Sequence, residues 1–134
     1  MEIEKISGII PAQCDKIFLH LSDMRNFIRY LPENQISNIV ADENHCTFSI
    51  SQIGKFGIKM VEKNPPHLVK FSGDEHVPFQ FLLSFFIEPA ENETSRVKLQ
   101  LMAMLNPFLV SLAKAPLGNF ADEIIKKIEK INYQ

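Results

Sequence analysis

Apolar and polar side chains alternate with period two through the middle of the chain, the spacing of strands covered on one face only. In Cys46-Thr47-Phe48-Ser49-Ile50-Ser51, Cys46, Phe48 and Ile50 share one side and the hydroxyls take the other. Phe56, Ile58 and Met60 stand against Lys55, Lys59 and Lys63, with Val61 out of phase. Val69 and Phe71 oppose Lys70 and Ser72, and Val97, Leu99, Leu101 and Ala103 oppose Arg96, Lys98 and Gln100. Phe79, Phe81, Leu83, Phe85 and Ile87 form a further set, which turns Leu82 and Phe86 outward. Turn-forming groups separate these segments: Asp42-Glu43-Asn44, Ile53-Gly54-Lys55, Asn64-Pro65-Pro66, Gly73-Asp74-Glu75 and Pro89 to Glu93. The opening Met1-Glu2-Ile3-Glu4-Lys5 alternates as well and predicts a strand from Glu2 to Ile10.

Helical spacing occupies the flanks of this strand run. After Pro11, the positions Ile17, Phe18 and Leu21 fall on one helical face, with Asp15 near the positive end of the dipole. Ser22 or Asp23 caps a second short helix, Met24 to Leu31, closed by Pro32. Asn106-Pro107 then starts a long helix in which Phe108, Leu109, Leu112, Phe120, Ile124, Ile128 and Ile131 recur on one side. Pro116, followed by Gly118, predicts a bend or break halfway along it. Strand, two short helices, six strands and a long helix make an α+β domain, residues 1–134, in which an antiparallel meander is covered by the last helix.

Composition sharpens the picture in one respect. The chain has 11 Phe against 2 Tyr and no Trp, so its aromatic surface carries almost no polar handle. A net charge of −2 without a cationic stripe argues against nucleic acid as a partner. The longest uncharged apolar stretch, Val77 to Ile87, falls short of the roughly 20 residues that span a bilayer. The N-terminal residues lack the pattern of a secretory signal, so a cytoplasmic location is expected, with Cys14 and Cys46 as reduced structural thiols and the sequon Asn92-Glu93-Thr94 unused.

The alternation defines an inner surface. Phe48, Ile50, Phe56, Ile58, Met60, Phe71 and Phe79 would face, with Phe81, Leu83, Leu99 and Leu101, the helical residues Phe108, Leu112 and Phe120. These residues are either plain core or the wall of an apolar ligand pocket. Polar groups near them are few: Cys46, Asn38 and His20. His45 and Cys46 point to opposite faces of one strand, and His67 and His76 bracket another without ligand spacing, so no metal site is expected. Asp74-Glu75-His76 reads first as a solvated hairpin turn and, in its functional alternative, as a charged rim at the pocket mouth. Without a glycine-rich phosphate loop or a nucleophile elbow, no cofactor and no covalent chemistry are expected. On the outer face Leu82, Phe86, Met102 and Met104 form an apolar patch suited to a homodimer or a protein partner.

In order and spacing, Ile9-Ile10-Pro11-Ala12, Lys16-Ile17-Phe18, Leu21-Ser22-Asp23, Tyr30-Leu31-Pro32, Thr94-Ser95-Arg96-Val97, Pro107-Phe108, Pro116-Leu117 and Phe120-Ala121-Asp122 resemble the helix-grip superfamily. That SRPBCC group includes START lipid-transfer domains, plant pathogenesis-related ligand binders, polyketide cyclases and quinone-binding proteins. The resemblance implies a seven-stranded sheet wrapped around the C-terminal helix, with a hydrophobic ligand in the space between. It suggests binding or transport of a lipid, isoprenoid, quinone or polyketide-like molecule rather than catalysis. The enzymatic alternative is a cyclase or dehydratase that uses His20 or a rim residue as base.

Overall fold

The computed structural model describes every residue except Pro32, Gln52, Ile53 and Gln134, so the expected helix stop at Pro32 and the first residue of the Ile53-Gly54-Lys55 turn lie outside the described residues. The elements are β1 (Glu2–Ile6), α1 (Cys14–Leu21), α2 (Met24–Phe27) with a 3-10 turn Ile28–Tyr30, β2 (Ile36–Ala41) and β3 (His45–Ile50). They continue as β4 (Gly54–Asn64), β5 (Leu68–Gly73), β6 (Phe81–Pro89), β7 (Ser95–Ala103) and α3 (Pro107–Lys130). The strands form one seven-stranded sheet in the order β1-β7-β6-β5-β4-β3-β2. Every adjacent pair is antiparallel.

The departures from the sequence expectations have local causes. β1 stops at Ile6: the Ser7 N–H still donates to the Val97 carbonyl (2.9 Å), but the Val97 N–H donates to the Ser7 hydroxyl (2.9 Å) instead of its carbonyl, and pairing returns only at the isolated bridge from Ile10 to Ser95. A register shift between Met60 and Glu62 leaves Val61 unpaired and exposed, which accounts for its phase. A second shift, between Ser37 and Val40, holds Asn38 at φ 53°, a left-handed conformation that Asn tolerates. Asn38 is therefore an exposed bulge residue, not part of the inner surface. The second short helix is also briefer than expected: Asp23 caps it through the Arg25 N–H at 2.9 Å, but α2 gives way to the 3-10 turn at Ile28.

α3 starts where Asn106 predicts, its Oδ1 accepting from the Leu109 N–H at 2.9 Å. It runs unbroken through Pro116 for 24 residues, so the expected break is absent. Proline removes the hydrogen bond to the Leu112 carbonyl, but this stretch lies at the surface, where water can take that acceptor. Its buried residues are Ala121, Ile124, Ile125 and Ile128, all in the second half. Phe108 (72% exposed) and Leu112 (62%) face solvent, which corrects the expectation that they line the inner surface. Both lie in the first half of α3, most of which is exposed, whereas its buried positions begin only at Ala121.

The phenylalanines sort into two groups along the inner face. Beneath the short helices, Phe27 packs on Phe71 (5.3 Å between ring centroids) and Tyr30 (6.1 Å), and Phe71 packs on Phe85 (5.8 Å). All four are essentially inaccessible to solvent, so this end is solid core. At the other end Phe56 stacks on Phe81 at 5.6 Å and meets Phe48 and Phe79 at 5.7 and 6.4 Å. Lys127 Nζ donates to the Leu31 carbonyl at 2.9 Å and ties the docked half of α3 to the solid end.

Candidate ligand site

Between the second aromatic group and α3 lies a small cavity of ≈ 40 Å³. Its walls are Phe56 and Ile58 from β4, Phe81 and Leu83 from β6, Leu99, Leu101 and Ala103 from β7, Phe79 from the segment before β6, and Leu117, Phe120, Ala121 and Ile124 from α3. Among the described lining residues none is polar or titratable. Of the residues expected here, Phe48 stands one layer back, against Phe56. Phe71 belongs to the solid end, Ile50 and Met60 are half-buried away from the cavity, and Phe108 and Leu112 are outside. Leu117, Ala121 and Ile124 were absent from the expected wall. Their signal is in the sequence, since 117, 120, 121 and 124 make an i, i+3, i+4, i+7 stripe that 128 continues at i+11.

The polar centre of the molecule lies elsewhere. Asp74, directly after β5, has a side chain only 2% exposed. Its carboxylate accepts from His45 Nε2 (2.8 Å), the His76 backbone N–H (2.9 Å) and His76 Nδ1 (3.1 Å). Gly57 of β4 makes the seat: any Cβ there would overlap the Asp74 carboxyl group. Burial alone would raise the Asp74 pKa, but the hydrogen bonds from His45 and His76 outweigh it and hold the carboxyl below its ordinary range. The solvated turn expected for Asp74-Glu75-His76 thus describes Glu75, which is exposed, and not Asp74. Asp74, Glu75 and His76 bring ligand-type atoms within 4.8 Å of one another, but the Asp74 oxygens are already committed to hydrogen bonds. On the opposite face of β3, burial pushes the Cys46 thiol up to about 12, with the Asp74 charge adding to the effect.

His20, the base expected for the enzymatic alternative, is not on the cavity wall. It packs against Tyr30 (5.7 Å) and edge-on to Tyr133 (5.5 Å), and burial, then the Arg29 charge, lowers its pKa. Its Nε2 and the Tyr30 hydroxyl are buried without a hydrogen-bond partner among the described residues. On the outer face Leu82, Met102 and Met104 are exposed as the alternation required, while Phe86 lies half-buried under the Lys98 ammonium at 5.6 Å. The homodimer expected through this face rests on that exposure alone. Among the described residues no helix is long and apolar enough to cross a membrane.

A curled antiparallel sheet closed by a C-terminal helix has many counterparts among solved structures. The chain superposes on a norcoclaurine synthase point mutant from Thalictrum flavum, in complex with a transition-state analogue, with a TM-score of 0.70 at 15% identity, covering 96% of this chain and 93% of that one. This is a helix-grip fold. The protein TTHA0849 from Thermus thermophilus shares the helix grip at TM-score 0.71 and 19% identity over 97% of this chain and 95% of that one. XoxI from Bacillus cereus does so at 0.74 and 10%, over 96% and 93%. No family model matches the sequence, and no curated protein matches it. At these identities the likeness is one of helix-grip architecture.

Proposed function

We propose that the protein binds a hydrophobic small molecule, of the lipid, isoprenoid, quinone or polyketide-like class, in the gap between the sheet and α3. One observation carries this reading: where the two layers meet, the wall is apolar throughout, with the Phe56 and Phe81 rings stacked along one side. Such a surface binds by removing apolar area from water, about 2.5 kcal/mol per 100 Å² buried, and suits a flat ring through offset or edge-to-face contact. It offers no side chain for acid–base turnover.

The cavity, at ≈ 40 Å³, is near the share of one water molecule in the liquid. Ligand sites run to about 300–1,000 Å³, so binding requires part of the wall to move. Two parts of the wall are only half-buried: the α3 turn that contributes Leu117 and Phe120, and the segment carrying Phe79. Native mass spectrometry of protein purified from cells tests the proposal, together with titration of a fluorescent apolar probe. A co-purifying apolar mass or saturable probe binding is expected. Neither, on folded protein, would overturn it.

A further inference from the structure

Phe79 and Phe81 belong both to the wall of the inner cavity and to the wall of an open groove of ≈ 570 Å³ that also takes in Leu82 and Met102 of the outer face. These two residues are therefore the boundary that the two spaces share. Phe81 is held in β6 by its pairing with Ala103, but Phe79 precedes the strand. It sits on a short flap whose ends are pinned: Asp74 N–H donates to the Gly57 carbonyl at 3.1 Å, and Gln80 accepts from the Met104 N–H at 2.9 Å. The buried Asp74 carboxylate, clasped by His45 and His76, secures the first of these ends. The groove beyond is apolar at Val77, Leu82 and Met102, and its cation, Lys59, makes no ion pair among the described residues. Its one carboxylate, Asp74, is engaged by the two imidazoles.

We infer that groove and cavity are two compartments of one site for an anionic amphiphile, with Phe79 as the door between them and the Asp74 clasp as its latch. This rests on the apolar-ligand reading above and adds a route, a head-group chemistry and a residue for each. The apolar body passes Phe79 into the space under α3, and the acidic head stays outside on Lys59. The groove, which is open to solvent, adds room that the inner cavity lacks.

Two probes with the same rings separate the parts: 1-anilinonaphthalene-8-sulfonate, which is anionic, and N-phenyl-1-naphthylamine, which is neutral. Stopped-flow fluorescence should show Phe79→Ala raising the association rate of both about tenfold or more. Asp74→Asn, which loosens the latch without touching the door, should act in the same direction, and a cooperative thermal melt checks that each variant is folded. Lys59→Ala should weaken the sulfonate probe about tenfold, roughly 1.4 kcal/mol, and leave the neutral probe unchanged. If the wild type binds both probes but the two flap variants leave the rates unaltered, or Lys59→Ala affects both probes equally, this inference falls and the apolar site stands. If the wild type binds neither, both fall.

Discussion

At the scale of single residues, the strongest constraint is exerted by one without a side chain. Gly57 leaves the room in which Asp74 meets His45 and His76, so Gly57→Ala must push the carboxylate out of its seat. Overpacking of this kind costs about 1–3 kcal/mol, and a denaturant melt should show that loss, whereas no change would mean that the clasp adapts freely. Asp74 also predicts a pH dependence. Its folded pKa is below the ordinary value of 3.8, so its contribution is complete above that value and is lost as the pH falls through it toward the folded one. Between pH 7 and pH 3 the wild type should lose more thermal stability than Asp74→Asn, and equal losses would contradict the assignment. None of this was legible in the sequence. His45 and Asp74 are 29 positions apart, and their meeting depends on the registers of β3 with β4 and of β4 with β5, which no local pattern encodes.

Among the elements, the strands were the most readable, since a side-chain period of two reports directly which face is buried. The bulge at Val61 shows the limit of that reading: one unpaired residue is enough to break the phase. α3 shows a different limit. Its apolar stripe marked it as amphipathic, but a stripe does not say what covers it, and Phe108, Leu109 and Leu112 are left exposed. Buried contacts hold the second half and not the first, so local stability should differ along one continuous helix. Hydrogen exchange should find amides of 111–120, Pro116 aside, exchanging about tenfold or more faster than those of 121–130. Uniform protection would mean that this stretch is fixed and cannot serve as a movable wall.

Taken as a whole, the molecule is asymmetric along its inner face. One end is filled by α1, α2 and the Phe27, Tyr30, Phe71 and Phe85 group, while the other encloses the apolar cavity under α3. The phenylalanine excess pointed to an apolar interior, but composition could not divide it between core and wall. That division comes from where the short helices dock. Whether the space under α3 receives an apolar ligand is read most directly by an intermolecular NOE experiment with N-phenyl-1-naphthylamine on methyl-labelled protein. Contacts from the probe rings to the methyls of Leu83, Leu99, Leu101 and Ile124 are the predicted result. Contacts confined to Leu82 and Met102 on the outer face, with those inner methyls silent, would contradict it.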